Sequence, residues 1–483
     1  MIYISYQNRD FAPEIEYTFG VLFSLFGFDM RYLSYSDIDT VITNRDDILI
    51  SYGKDRPSST FSGNLHIYEG GLFCKDYLHT ESIPPLPLES LNGLPVIFWG
   101  RNMAGGGASV AVQPGAVEMD ADIIASSFFL LSRYEEVIKD ARDKYDRFPA
   151  KASLAYSGEF LERPLVNEYA ELLWNWLSTL SPGLKRKPLW PENREFAVCI
   201  THDVDNLRKY SLFPPVLTIG SALRRGKAGL AVHIVMEHLG TLLHLRNDPI
   251  DTFDYMLRLE GQYGFTSSFY FMAGGNSALD AGYSLGQPSV RRLITKIERT
   301  GCEVGLHGSH NSFNNQEEMA SEKDRLDRLV SSPYGCRQHN LRWKTPNTWR
   351  VIEMSGLLYD TTVCFADHAG FRCGICHPFQ PFDILERRRL EIWELPLTVM
   401  EVSLQNPEYQ GLSPENAYSR TVKLIEIVKK HNGLFVLLWH NSSFDPLGGW
   451  AGWKNVYENL LEYVAAQNAF VGSGRDITLA FSK

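Results

Sequence analysis

The stretch Ala197-Val198-Cys199-Ile200-Thr201-His202-Asp203-Val204-Asp205 decides the fold, because an apolar run typical of a buried strand passes directly into two carboxylates. The pattern occurs twice more. Residues 302–306 lead into His307-Gly308-Ser309-His310, and residues 434–439 lead into His440-Asn441. In a barrel or an open sheet of parallel strands, sites are built at the carboxyl ends of the strands. Three such junctions on one chain therefore predict one shared site.

Length and composition limit the class of protein. With 483 residues the chain is too long for one compact core, so we expect two domains. A net charge of −10 argues against a nucleic-acid binder, which needs a basic surface. The amino terminus lacks the pattern of a secretory signal, and no run of about eighteen apolar residues predicts a membrane span. We therefore expect a cytoplasmic protein.

The seven cysteines are scattered and odd in number, which is typical of reduced thiols and not of a disulfide framework. Cys373 and Cys376 have the CxxC spacing of zinc knuckles and redox motifs. A zinc site of that kind usually needs a second pair of ligands nearby. Buried thiols are therefore the favoured interpretation of this pair.

The order of strand-like and helical segments predicts two α/β domains. Residues 1–180 are expected to form an amino-terminal α/β domain of unknown role, and residues 181–194, rich in proline, glycine and charge, a linker. Residues 195–483 alternate strands with helices, which indicates parallel strands. The shared site favours a (β/α) barrel of six to seven strands over an open sheet. The glycine run at 105–107 lacks a following GK[ST] and is interpreted as a loop.

The chemistry of the three junctions suits a metal site with acid–base groups. Asp203 and Asp205 project to the same side if the strand continues, so one can bind a cation while the other acts as a base. His307 and His310 add two imidazoles, and His440 suits general acid work because its pKa is ordinarily near neutral. The alternatives are loop-capping aspartates, a histidine that is only hydrogen-bonded, and an exposed bystander at position 440.

Together, Thr-His-Asp-Val-Asp, His-Gly-Ser-His and Leu-Leu-Trp-His resemble the first, second and last motifs of the polysaccharide deacetylases, the NodB-homology enzymes of carbohydrate esterase family 4. The chain is similar in particular to an uncharacterised bacterial branch with an extra amino-terminal domain. The segments that carry this similarity are 122–136, 337–343, 370–372, 378–383 and 394–398. The resemblance implies a deformed barrel that holds one divalent cation, usually zinc, and hydrolysis of an N-acetyl group on an amino sugar.

The resemblance also implies roles for single residues. Asp203 would be the general base, with Arg342 orienting it, and His440 would protonate the departing amine. Asp205 and His307 would be metal ligands.

The third ligand departs from the family pattern, which places a second histidine four residues after the first. That position is Asn311 here, so we assign the ligand to His310, with Asn311 and His339 as alternatives. Substrate-binding residues are predicted in or beside the similar segments: His339, Trp439, Arg372 and Asp367.

Other functions stay open at this stage. A sugar-binding or assembly protein with a degenerate metal site would keep the fold without catalysis, and related barrels hydrolyse the C–N bond of amides that are not sugars. The long segment 206–251 combines basic residues with an apolar helical stretch. It is interpreted as a lid or a peripheral membrane contact, with a helix packed on the core as the alternative.

Overall fold

The structure is a computed structural model that describes residues 1–41, 44, 46–101, 109–210, 216–226, 228–243, 245–330 and 333–483. The glycine run at 105–107, interpreted above as a loop, lies outside the described residues. Within those ranges, no helix combines the length and the apolar character needed to cross a membrane.

The amino-terminal half is built on a parallel sheet. Its strands are β1 (Ile2–Tyr6), β2 (Arg31–Tyr32), β3 (Ile48–Gly53), β4 (Gly63–Tyr68), β5 (Ser90–Leu91), β6 (Leu94–Pro95), β7 (Val110–Gln113) and β8 (Ala116–Met119). Its helices are α1 (Ala12–Ser24), α2 (Ile123–Leu131), α3 (Tyr134–Ile138), α4 (Leu154–Ser157) and α5 (Leu165–Leu180). Six strands pair in the order β2-β1-β3-β4-β8-β7, and only the β7–β8 pair among them is antiparallel in the described residues. β5 and β6 form a separate hairpin.

The carboxyl-terminal half alternates strands with helices. Its strands are β9 (Phe196–Val204), β10 (Ser268–Met272), β11 (Glu303–Gly308), β12 (Cys336–Gln338), β13 (Tyr359–Asp360), β14 (Phe382–Asp383), β15 (Arg388–Arg389), β16 (Trp393–Glu394), β17 (Val399–Met400), β18 (Leu434–Leu438) and β19 (Ala469–Val471). Its helices are α6 (Val216–Arg224), α7 (Ala228–Leu242), α8 (Phe253–Gln262), α9 (Pro288–Arg299), α10 (Gln316–Asp327), α11 (Asn347–Met354), α12 (Glu401–Gln405), α13 (Pro414–Lys430), α14 (Trp453–Ala465) and α15 (Gly474–Phe481).

The main sheet of this half is parallel throughout its described pairs. Its order is β16-β13-β12-β11-β10-β9-β18-β17, with β19 added beside β9. The two end strands, β16 and β17, belong to one short segment, 393–400, so the sheet curls round until its ends share a piece of chain. The predicted parallel α/β arrangement is confirmed. The sheet contains nine strands where six to seven were predicted. The number is higher because segment 393–400 forms two short strands, β16 and β17, and because β19 joins the sheet beside β9.

The two halves are held together by buried charge as well as by apolar packing. Glu136 accepts hydrogen bonds from Arg372, at 2.8 and 2.9 Å, and from Arg133 at 2.9 Å, and all three side chains are buried. Burial alone would raise the pKa of Glu136, but the guanidinium groups of Arg372 and Arg133 lower it to about 2. Trp190, within the predicted linker, is also buried and donates to the Asn432 carbonyl at 2.7 Å. Buried polar contacts therefore join the two halves.

Candidate functional site

Strand β9 delivers the two aspartates to one side of the sheet. Every residue of β9 is buried, and its side chains alternate between the two faces. His202 lies on the opposite face, with Nδ1 2.7 Å from the Trp439 carbonyl and Nε2 3.1 Å from Glu260 Oε1. Asp203 and Asp205 lie on the face that also receives His307 from β11 and His440 from the end of β18. The three junctions thus meet at one rim.

Asp203 is held by a buried arginine. Arg337, from β12, donates to Asp203 Oδ1 at 3.1 Å and to Thr201 Oγ1 at 2.8 Å, and its Nε donates to the Thr361 carbonyl at 2.9 Å. Asp203 Oδ2 lies 3.8 Å from His307 Nε2 and 3.9 Å from His440 Nε2. One carboxylate oxygen is therefore fixed by the guanidinium, and the other faces the two imidazoles.

Asp205, His307 and His339 form a group that could hold a metal ion, with one ligand atom from each lying within 4.8 Å of the others. Asp205 Oδ1 lies 3.2 Å from His307 Nε2 and 3.8 Å from His339 Nε2. The Nδ1 atom of His307 lies 2.9 Å from the Arg337 carbonyl. A carbonyl can only accept, so Nδ1 carries a proton, and Nε2 is the ring atom that faces Asp205.

The charges in this group agree with that arrangement. Burial lowers the pKa of His339 to about 4, so its ring is neutral at pH 7 and offers a lone pair. Burial would raise the pKa of Asp205, but the imidazoles of His307 and His440 hold it well below its usual range. Asp205 Oδ1 and His307 Nε2 are both buried and have no hydrogen-bond partner among the described residues. Burial would lower the pKa of His307, but the carboxylates of Asp203 and Asp205 raise it, so the site stabilises a cation at Nε2, either a proton or a metal ion.

His440 is backed by a buried glutamate that the sequence analysis did not single out. Glu401 Oε1 accepts from His440 Nδ1 at 2.7 Å, from the His440 backbone N–H at 2.8 Å and from Ser443 Oγ at 2.6 Å. Burial would lower the pKa of His440, but the Glu401 carboxylate raises it to about 10. His440 is therefore protonated at neutral pH, and its Nε2 points at Asp205 Oδ2 from 3.7 Å.

The structure brings His339, and not His310, into the metal group. His310 donates its backbone N–H to Asp280 Oδ1 at 2.7 Å, and its Nδ1 is buried without a hydrogen-bond partner among the described residues. His339, predicted as a substrate contact and as an alternative ligand, has its Nδ1 3.8 Å from the same Asp280 oxygen. That distance is too long for a hydrogen bond, and His339 Nδ1 has no hydrogen-bond partner among the described residues.

Arg342 was expected to orient Asp203, but Arg337, from the same motif, makes that contact. Arg342 donates its Nε to the Tyr145 carbonyl at 3.1 Å and its Nη1 to the His310 carbonyl and to Asn311 Oδ1. It therefore ties the rim to the amino-terminal half, while Arg337 contacts Asp203. The geometric reason is that Arg337 lies within strand β12, whereas Arg342 follows the turn beyond it.

Three residues that were predicted to bind substrate contact other parts of the protein in the structure. Trp439 is fully buried against Trp453 and Tyr457. Arg372 is buried on Glu136, as described above. Asp367 Oδ1 accepts from the Ala150 backbone N–H at 3.2 Å. Trp439 and Arg372 pack the core or join the two halves, so we correct their assignment as substrate contacts, whereas Asp367 is only partly buried and stays a prediction.

Two of the residues at the rim were missed although a signal was available. Glu401 directly follows β17, so it obeys the same rule of polar residues at strand ends that identified the other groups. Arg337 is a charged residue within a buried strand, and such a charge needs a buried partner.

The CxxC pair is buried, and burial raises the pKa of both thiols, Cys373 and Cys376, as expected for packed side chains.

Comparison with known proteins gives limited similarities. Residues 2–182 match a family described as a family of unknown function (DUF7033). No curated protein matches the chain. Among solved structures, a protein from Mycobacterium smegmatis assigned as a polysaccharide deacetylase is 18% identical, with a TM-score of 0.40, over 61% of this chain and 92% of that one. The Puue allantoinase is 13% identical, with a TM-score of 0.40, over 62% and 94%.

Proposed function

We propose that the carboxyl-terminal half is a divalent-metal-dependent hydrolase of a carbon–nitrogen amide bond. One observation carries the proposal: Asp205 Oδ1 and His307 Nε2, both buried and without a hydrogen-bond partner among the described residues, lie only 3.2 Å apart. Two such atoms so close need a cation or a proton between them. We infer a metal ion, because His339 brings a third ligand atom to the same place and the Nδ1 contact of His307 with the Arg337 carbonyl leaves Nε2 as the ligating atom.

The donor set fits zinc. Two imidazole nitrogens and one carboxylate oxygen are the ligands of many catalytic zinc sites, which leave a fourth position open. Ligand atoms 2.0–2.1 Å from a tetrahedral zinc lie roughly 3.3 Å from each other, close to the contact between Asp205 and His307. His339, neutral at pH 7, completes the set. A divalent cation held there would polarise an amide carbonyl and make water more acidic.

The residues around this group can move the protons of hydrolysis. Asp203 takes the proton of the attacking water on Oδ2, because Oδ1 is held by Arg337. As the C–N bond breaks, His440 gives its Nε2 proton to the departing nitrogen, and Glu401 keeps the ring protonated and oriented until then. The products are a carboxylic acid and an amine, and the two groups return to their starting states by exchanging protons with water.

For the substrate we propose an acetamido sugar, so that acetate is released. The support is the resemblance of the three junction motifs to polysaccharide deacetylases. We propose further that the curled sheet of this half is the deformed barrel of those enzymes. We also propose that the two domains divide at the linker 181–194. A location in the cytoplasm is proposed as well, and the free cysteines support it.

The test is acetate release from N-acetylated chito-oligosaccharides by zinc-loaded protein, beside a panel of small amides and ureides. Wild type is expected to release acetate, and Asp203→Asn or His440→Gln to reduce the rate at least about 100-fold. His310→Gln is the matched control, since that histidine is outside the metal group, and should keep most of the rate. Turnover of only the small amides would overturn the sugar assignment. A zinc-bound protein inactive on every substrate would overturn the hydrolase assignment.

A further inference from the structure

The segment between β9 and α8 exposes an unusual amount of apolar surface. Of the eighteen large hydrophobic side chains that are exposed in the described part of the chain, seven lie between positions 223 and 245. They are Leu223, Val232, Val235, Met236, Leu239, Leu243 and Leu245. Such a concentration on one surface is typical of an interaction site, whereas single exposed hydrophobics need no explanation.

The large apolar side chains exposed on α7, together with Leu243 directly after it, form a continuous face. At about 100° per residue, positions 232, 235, 236, 239 and 243 fall within an arc of roughly 100°. The other side of the helix is used for packing, since Ala231 and Ile234 are buried and form a small cluster with Ile219 of α6. One side of α7 is therefore buried against α6, and the second apolar side is exposed in the described part of the chain.

The net charge of the segment that carries this face is positive. The described residues of 216–246 carry three basic side chains, Arg224, Arg225 and Arg246, against one acidic side chain, Glu237. Arg246 pairs with Glu237. Arg224 and Arg225 are exposed and have no acidic partner within 4 Å among the described residues. This local excess contrasts with the net charge of −10 of the whole chain.

We propose that the α6–α7 hairpin docks the protein on a lipid bilayer with anionic headgroups. An apolar helix face inserts at the level of the headgroups, and the exposed arginines of the same segment bind their phosphates. A second copy that packed on the same face would bring its Arg224 and Arg225 against these arginines, whereas anionic headgroups have the opposite charge. Apolar contact and complementary charge therefore select the bilayer as the occupant.

Docking at this place would bring the rim of the sheet to the membrane surface. The segment begins directly after Asp205, and at its start Lys209 pairs with Asp445, five residues after His440, at 2.5 Å. At its end, Thr252 donates to the Asn441 carbonyl at 2.9 Å. The hairpin is thus tied at both ends to the elements that carry the candidate site. The proposal does not depend on the hydrolytic activity.

The experiment is co-sedimentation of the full chain with vesicles of phosphatidylglycerol and phosphatidylcholine, and with vesicles of phosphatidylcholine alone. Wild type should bind the anionic vesicles, and less so as salt is raised. The variant Val232→Ser/Met236→Ser/Leu239→Ser should bind at least about 100-fold more weakly, because each large apolar side chain that enters the interface contributes about tenfold. Arg224→Gln/Arg225→Gln should lose about 30-fold on anionic vesicles.

The matched control is Met354→Ser on α11, which removes a side chain that is 70% exposed elsewhere and should leave binding unchanged. Circular dichroism melts check that every variant folds. Absence of vesicle binding by wild type would overturn the proposal, as would equal binding by the triple serine variant. A dimer in light scattering that this variant dissociates, without vesicle binding, would assign the face to a second copy instead.

Discussion

Replacing Arg337 by methionine removes the guanidinium that donates to Asp203 Oδ1 at 3.1 Å, while most of the buried volume is kept. Both side chains are buried, and loss of one partner of a buried ion pair costs about 3–5 kcal/mol of unfolding free energy. Arg337 also donates to Thr201 and Thr361, so the loss of unfolding free energy in the single variant is larger than the contribution of the contact with Asp203 alone. A double-mutant cycle with Asp203→Asn removes that excess, and we expect a coupling of about 2 kcal/mol.

The assay is urea denaturation followed by tryptophan fluorescence, with a chelator present so that bound metal does not contribute. The matched control is the same cycle with Arg342→Met, which should show a coupling below about 0.5 kcal/mol, because Arg342 bonds to the carbonyls of Tyr145 and His310. A coupling with Arg337 below about 0.5 kcal/mol, or an equal coupling with Arg342, would refute the assignment of Arg337 as the partner of Asp203.

Three further predictions concern protonation and burial. Glu401→Gln should lower the pKa of His440 from about 10 towards its usual value in a histidine NMR titration of chelator-treated protein, and an unchanged pKa would speak against the contact. Glu136→Gln should cost about 3 kcal/mol of unfolding free energy at pH 7. That difference should shrink as the pH falls from about 4.5 to 2, because the lowered pKa of Glu136 stabilises the fold only while the carboxylate is ionised; a constant difference would contradict this. Cys373 and Cys376 should stay unlabelled by a thiol reagent until the chain unfolds, and mass spectrometry of labelled peptides would reveal any earlier reaction.

Polar residues at the carboxyl ends of predicted strands correctly indicated which groups lie together at the rim, because that pattern depends only on local sequence. Parallel strands bring their carboxyl ends together, and alternation along β9 sends Asp203 and Asp205 to the same face. His307 and His440 follow from the same reasoning on β11 and β18. The same alternation could have removed Trp439 from the substrate contacts, since it precedes His440 and therefore faces the core with its neighbours.

The remaining errors come from contacts between distant parts of the chain. Arg372 is paired with Glu136, which lies 236 positions earlier, and nothing in either local sequence indicates that pairing. The choice between Arg337 and Arg342 depends on the turn between them, which directs the second towards the amino-terminal half. The choice between His310 and His339 likewise depends on how β12 sits beside β11, and spacing within one loop does not give that information.

Metal content of the purified protein tests the central claim most directly. We predict about one zinc or similar divalent ion per chain in wild type, and its loss in Asp205→Ala, His307→Ala and His339→Ala, because these residues form the ligand group. His310→Ala should keep the metal. Loss of the metal in His310→Ala with retention in His339→Ala, or a wild type that binds no zinc, cobalt or nickel, would contradict the account.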